Sequence, residues 1–427
     1  MSAGAQPNGT PRIATLTGCR VLDLTTERGL MCGQILGDLG ADVIKVEPPG
    51  GSAVRSLAPF FGDQADPERS VYWWAYNRNK RGITLDLDTA EGRDLMRQLA
   101  ACADFVIESD HPGAMARRGL GYDDLSALNP ALVYVSITPF GPDGPKASYA
   151  DSDLIMMAAS GVLILYGDED RPPIRMSVPQ AYLHACADAA GAALIAYYDR
   201  LNTGLGQQLD ITAQESLGMA TQSTLLAATI GGDETRRMAG GVKMGPIRVP
   251  LVWEAKDGLV TCVFLFGSAL GVFTRKLMNY IYELGFCDQA TRDKDWIAYA
   301  DMLLTGREPI AEYERVKGVV ANFLRSMTKA ESFDLARQHG FLIAPLATID
   351  DVLQNPQFIA REYWQTIEDR DLGLKLTYPG PFARFGATPI EYRRRPPRVG
   401  EHNRELFVGD LGLSEREFAD LARRRII

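Results

Sequence analysis

The chain has 427 residues, more than one hydrophobic core usually organises, so two domains are expected. Apolar residues make up 46% and charged residues 23%, the mix of a globular protein. With 54 acidic against 45 basic residues the net charge is −9. That balance excludes a generally basic nucleic-acid surface, and no apolar run approaches the roughly 18 residues of a membrane span. Neither nucleic acid nor membrane is therefore expected as a partner. The first ten residues, MSAGAQPNGT, lack the basic start and apolar core of a signal peptide. Six dispersed cysteines with no CxxC pair then point to reduced thiols and a cytoplasmic location.

In chain order, Arg20–Leu24 reads as a strand, Gly29–Leu39 as a helix and Ala41–Val46 as a second strand. One β-α-β unit in under thirty residues predicts a parallel pair. Ile83–Leu87 reads as a further strand, and Thr89 caps a helix running to about Ala101. Ala103–Ile107 and Leu132–Ile137 continue the alternation. The class is α/β with a largely parallel sheet covered by helices. Ser177–Tyr198 is a long Ala-rich helical pattern, and Gln207–Thr212 is a strand. The Gly-rich stretch Gly231–Gly245 reads as a domain junction, or as a loop able to cover a site. A strand pair is expected around Lys256-Asp257-Gly258. The basic run Arg393–Arg395 reads first as a solvated face, with phosphate binding as the less frequent alternative.

Several motifs are missing. There is no GxxxxGK[ST] phosphate loop, no GxSxG nucleophile elbow and no HExxH. The four histidines, His111, His184, His339 and His402, show no ligand spacing, so no metal site is expected. Neither Gly-Leu-Gly continues as GxGxxG after a strand. The residues alone thus define a two-domain α/β protein, a small-molecule enzyme of unspecified chemistry.

Seven blocks, in order over nearly the whole chain, resemble the class III coenzyme A transferases, the carnitine and bile-acid CoA-transferase (CaiB/BaiF) group. They are RVLDLTTERGLMCGQILGDLGADVIKVEPPG (20–50), NRNKRGITLDL (77–87), ADFVIESDHPGAMARRGLGY (103–122), LNPALVYVSITPFGPDGP (128–145), NTGLGQQLDIT (202–212), ATIDDVLQNPQFIAREYW (347–364) and VGEHNREL (399–406). The resemblance implies a Rossmann-like large domain from residues 1–230, a smaller inserted domain at 231–345, and a C-terminal part, 346–427, returning to the large domain. It also implies an interlocked dimer, with coenzyme A as a thioester substrate and no permanently bound cofactor. By the same resemblance Lys80 and Arg117 contact CoA phosphates, a task suited to a point charge and to a forked guanidinium. Glu27 lies near the CoA entrance, where Glu27-Arg28-Gly29-Leu30 replaces the usual x-Ala-Gly-Pro. Ser109-Asp110 replaces an asparagine–aromatic pair.

One departure concerns the chemistry itself. Members carry a nucleophilic aspartate in VP-x-A-D, but here the segment is Val178-Pro179-Gln180-Ala181-Tyr182. Counting back twenty-one residues from Thr203 reaches the same position. That aspartate forms a mixed anhydride and then an enzyme-bound CoA thioester, which requires an acyl carbon. A phenol has none, and ionises only near pH 10. Asp151, Asp153, Asp188 and Glu27 are the nearby carboxylates that a replacement would draw on, although Asp188 lies about 240° around the helix from Tyr182. His184 reads as a packed or hydrogen-bonded helix residue. Ser152 stands where the racemase branch needs a histidine.

Three readings follow. The first is the subunit without the aspartate in a heteromeric transferase of the benzylsuccinate type, acting with a related chain that carries it and taking CoA from a donor such as succinyl-CoA. The second is a self-sufficient, homodimeric transferase with another nucleophile. The third is a CoA-ester binding protein without turnover.

Overall fold

The computed structural model describes residues 14–231, 237–245 and 247–427. The chain forms two compact units. The first takes in the described residues of Met1–Leu163, Arg175–Thr229 and Ile359–Ile427; the second comprises Ile164–Ile174 and the described part of Ile230–Phe358. Relative to the sequence boundaries, the second unit also draws in Ile164–Ile174 and runs past residue 345 to Phe358.

The first unit is built on β1 (Arg20–Asp23), α1 (Leu30–Asp38), β2 (Asp42–Glu47), α2 (Val71–Tyr76), β3 (Lys80–Thr84), α3 (Ala90–Ala101), β4 (Phe105–Glu108), α4 (Ala114–Arg117), α5 (Tyr122–Ser126), β5 (Val133–Thr138), α6 (Asp153–Ala159), α7 (Ala181–Thr203) and β6 (Gln208–Thr212). The six strands form one sheet in the order β3-β2-β1-β4-β5-β6, and every pair is parallel. Alternate residues enter opposite layers. Val21, Val43, Phe105 and Val133 pack with α1 and α7, whereas Leu22, Ile44, Val106 and Tyr134 pack with α3. Both faces are covered, so the strands read as nearly continuous apolar runs. The buried stripe of α7 is mostly alanine (Ala185, Ala189, Ala193, Ala196), and it packs beside α1.

Three local differences from the sequence expectations have physical causes. The third strand is Lys80–Thr84, not Ile83–Leu87, with Val43 opposite Lys80 and Glu47 opposite Thr84. Its first two residues are buried cations, which look like surface in a sequence. The long helix begins at Ala181, not Ser177, because Pro179 precedes it and Asp153 Oδ1 accepts from the Gln180 and Ala181 N–H groups at 2.6 and 2.8 Å. It ends at Gly204 in the left-handed conformation (φ 76°). Part of the Gly-rich stretch is a strand, β7 (Gly241–Met244), paired antiparallel with β8 (Ile247–Pro250), so it is not a continuous loop. Residues 232–236 of that stretch lie outside the described residues.

In the second unit β9 (Val252–Ala255) and β10 (Gly258–Cys262) form the hairpin expected at Asp257-Gly258, and β11 (Ile343–Pro345) pairs with β10. Helices Gly267–Glu283 and Ile310–Arg325 pack on it around Phe264, Trp296, Tyr299, Tyr313 and Phe323. In the first unit a hairpin of β12 (Gln365–Asp369) and β13 (Leu374–Tyr378) precedes the C-terminal segment, which covers the free edge of β3. The Gly82 N–H donates to His402 Nδ1 at 3.1 Å and the His402 N–H to the Gly82 carbonyl at 2.9 Å. A Cβ on Gly82 would stand 2.8 Å from Pro397, so only glycine lets the segment close on the strand.

Candidate functional site

The sheet order reverses between β1 and β4, the position at which parallel α/β sheets open a crevice beyond their carboxyl ends. A cavity of about 300 Å³ lies there, lined by Glu27 after β1, Pro48 after β2, Asp86 and Asp88 after β3, and Asp110 after β4. Arg118 crosses it with ion pairs to Asp110 (2.8 Å) and Asp88 (3.0 Å). Sequence inspection passed over Arg118, whose signal is the doubled arginine of MARRG. Glu27 is exposed at the rim. Arg117, at the end of α4, is exposed and has no carboxylate partner among the described residues. Its donors are free for a ligand.

Lys80 is elsewhere in chemical terms. Its side chain is fully buried, and its ammonium donates to Asp23 Oδ2 (2.8 Å), the Leu30 carbonyl (2.9 Å) and Asn77 Oδ1 (3.0 Å). An ammonium has three donors, and all three are taken. The expectation that Lys80 contacts a CoA phosphate is therefore corrected: it ties β3 to the end of β1 and the start of α1. Lys45 holds the other Asp23 oxygen at 3.2 Å. Burial alone would push the Asp23 carboxyl up, but Lys45 and Lys80 more than offset this and hold it down at about 2. One carboxylate serves two cations, so burial still leaves Lys80 below its ordinary value.

Tyr182 sits in the first turn of α7. Its hydroxyl donates to Asp151 Oδ2. Arg28, in the turn between β1 and α1, donates to both oxygens of the same carboxylate, from Nη2 to Oδ1 at 2.6 Å and from Nε to Oδ2 at 3.2 Å. Its guanidinium lies 6.0 Å from the Tyr182 ring centre. The Asp151 side chain is 4% exposed. Burial, and then the bond to Asp151, push the Tyr182 phenol far above its ordinary range, so it remains protonated. Two residues that each depart from the family pattern, Arg28 and Tyr182, thus meet on one carboxylate.

The other carboxylates near this position have separate tasks. Asp153 holds the start of α7. Asp188 is exposed further along that helix. His184 is exposed, with Nδ1 at 2.9 Å from the Gln180 carbonyl, and Ser152 accepts from the Ile155 N–H at the start of α6. Glu108, at the end of β4, accepts from the Asp110 N–H at 2.8 Å. Burial pushes its carboxyl up to about 7 despite that bond and one to Ser136.

A sequence model for CoA-transferase family III matches residues 16–403. The chain is 35% identical over 408 residues to the succinyl-CoA:(R)-benzylsuccinate CoA-transferase subunit BbsE of Thauera aromatica, covering 95% of this chain and 96% of that one. It is 31% identical to the succinyl-CoA–D-citramalate CoA-transferase of Chloroflexus aurantiacus, over 96% and 98% of the two chains. The crystal structure of a CaiB/BaiF family protein from Brucella suis superposes with a TM-score of 0.77 at 27% identity, over 92% of this chain and 99% of that one. The chain belongs to CoA-transferase family III, with transfer of CoA between thioesters and carboxylic acids as its chemistry. No helix among the described residues is long and apolar enough to cross a membrane.

Proposed function

We propose that this chain is the subunit without the nucleophilic aspartate in a heteromeric CoA-transferase, working with a related chain that carries it and moving CoA from succinyl-CoA to a carboxylic acid. The observation that carries this reading is Tyr182: its hydroxyl stands on Asp151, protonated, with no acyl carbon to hold CoA. Two further features support it. The crevice at the strand ends is lined by the carboxylates of Glu27, Asp86, Asp88 and Asp110 with Arg118 among them, a poor place for a diphosphate without outside cations. The exposed side of α7 carries Ile195, Tyr198 and Leu201, at 73%, 71% and 65% exposure, as a surface fitted to a second chain in an interlocked dimer. BbsE, 35% identical, is itself described as a subunit. In this reading Arg117 is the CoA phosphate contact and Glu27 stands at the entrance. The six unpaired cysteines agree with a cytoplasmic setting.

The second reading, a self-sufficient transferase, has one observation in its favour. Asp151 brings a carboxylate to the Tyr182 hydroxyl. Both of its oxygens are bonded, and an ion-paired carboxylate is a weak nucleophile. The test is to assay CoA exchange from succinyl-CoA with the chain alone and co-expressed with a related chain bearing VP-x-A-D, trapping any enzyme acyl group with hydroxylamine. Exchange only in the pair, with the label on the partner's aspartate, is expected. A label on Asp151 of the isolated chain would establish the second reading; tight CoA binding with no exchange in either sample would establish a binding protein.

A further inference from the structure

We infer that the segment Arg393–His402 and the turn after β12 form a binding site for a phosphoryl group, on the outer edge of β3 and outside the crevice at the strand ends. A cavity of about 460 Å³ lies there, lined by Arg370, Arg393, Arg394, Arg395, Glu368, Glu401 and His402 among others.

The site is built rather than merely charged. Asn79, in the left-handed conformation (φ 62°), accepts from the Arg393 N–H at 2.7 Å and the Arg394 N–H at 3.1 Å. Its own N–H donates to the Arg394 carbonyl at 3.0 Å, and its amide donates to Asp38 and to the Glu391 carbonyl. The backbone of the arginine run is thereby pinned to the start of β3. The His402 ring is fixed as firmly by the Gly82 N–H on Nδ1.

That last bond sets the tautomer. Nδ1 accepts, so the ring proton is on Nε2. Burial, with Arg394 and Arg81 nearby, holds His402 below its ordinary value and so neutral. Arg394 Nη1 stands 3.4 Å from Nε2. Both atoms carry hydrogens, and two donors make no hydrogen bond with each other. They share one missing acceptor. Arg370, Arg393 and Arg394 have no carboxylate within ion-pair distance among the described residues. Arg395, in contrast, is held by Glu401 at 2.8 Å and Asp371 at 3.3 Å. Glu368 turns to Lys375 at 3.6 Å. Four arginines against two glutamates leave the cavity with two positive charges in excess (4 − 2), within a chain of net charge −9.

A carboxylate offers two oxygens in one plane and would satisfy a single guanidinium fork. Side-chain donors from Arg370, Arg394 and His402, which line one cavity, match the three terminal oxygens of a phosphate dianion better. The ligand class is therefore inorganic phosphate or a phosphomonoester.

Calorimetric titration of the full chain with inorganic phosphate, and in a second arm with a nucleoside monophosphate, both at constant ionic strength, tests this. One equivalent of inorganic phosphate should bind, and Arg394→Gln should weaken it by about tenfold or more. Arg370→Gln should weaken it in the same direction, and Arg416→Gln, an exposed cation outside the cavity, should leave it unchanged. Nucleotide binding with the same dependence on Arg394 extends the site to phosphomonoesters; its absence beside phosphate binding restricts the site to the free ion. No saturable phosphate binding, equal loss in all three variants, or succinate displacing phosphate at equal concentration would each overturn the proposal.

Discussion

Lys80→Met separates a structural from a ligand-binding role for the lysine of the NRNKRG motif. Methionine keeps the unbranched stem and roughly the volume of a side chain that is fully buried. The change removes a 2.8 Å ion pair to Asp23 and two bonds, to the Leu30 carbonyl and Asn77. Breaking a buried ion pair from one side costs about 3–5 kcal/mol, and each abandoned neutral acceptor about 1 more. Lys45 still faces Asp23 at 3.2 Å, so the charge is not left alone and the first figure falls to its lower end. A net loss of about 5 kcal/mol follows. With a urea slope of roughly 3 kcal/mol per M, the unfolding midpoint should drop by somewhat more than 1.5 M, followed by far-UV circular dichroism. The acid limb should change too. A carboxyl held at about 2 contributes stability that is full above its unfolded value and lost as pH falls toward 2. With one cation fewer that contribution shrinks, so parent and variant should converge in stability at low pH. CoA affinity, measured on the folded variant, should be unchanged. An unaltered midpoint together with weakened CoA binding would refute the structural assignment and return Lys80 to the ligand.

Three other outcomes are expected. Arg117→Ala, at a free and exposed guanidinium, should weaken CoA binding by about tenfold or more in calorimetry without moving the unfolding midpoint. Glu108→Gln should raise stability at pH 8 by up to about 3 kcal/mol. A carboxyl at about 7 in the fold against 4.5 ordinarily makes the parent lose stability as pH rises between those values, and the amide does not titrate. Urea midpoints at pH 5 and pH 8 would show it, and a parent with no decline over that range would contradict it. Tyr182→Asp should produce little or no CoA exchange in the isolated chain; exchange within tenfold of an ordinary family member would mean that the rest of a working site is intact.

The alternation of the first unit was legible because its strands are buried on both faces and therefore apolar: Val21 and Leu22, Val43 and Ile44 belong to opposite layers of one sheet. The third strand was misplaced for the complementary reason. Lys80 and Arg81 are buried by partners far along the chain, Asp23 for one and Asp42, Glu405 and Asp410 for the other. No local pattern announces such pairs. The family resemblance singles out Tyr182, since Val178-Pro179 and Thr203 match the family's segments on either side of it. The network around it could not be found this way, because Arg28 and Tyr182 lie 123 and 31 residues from the Asp151 that joins them. The motif singles out Arg117 as a candidate, whereas Arg118 becomes meaningful only when the ends of β3 and β4 bring Asp88 and Asp110 to either side of it.

The Arg28–Asp151–Tyr182 network bears on whether this chain is an eroded enzyme or a specialised one. Erosion needs only the loss of an aspartate, and it leaves the surroundings as they were. Here the Tyr182 hydroxyl has an acceptor, the acceptor has a counter-ion, and each leans on the others. Asp151 without Arg28 would be a buried unpaired carboxylate, and Arg28 without Asp151 a cation without its partner at the strand ends. The same arrangement explains why Tyr182→Asp should fail. A second carboxylate would then stand near Asp151, both of whose oxygens already hold Arg28, and the neighbouring like charge disfavours the ionised form that attacks a thioester. Chemistry returns only if Asp151 and Arg28 change together with Tyr182, and a requirement for three linked changes is what a subunit built around its partner's aspartate would show.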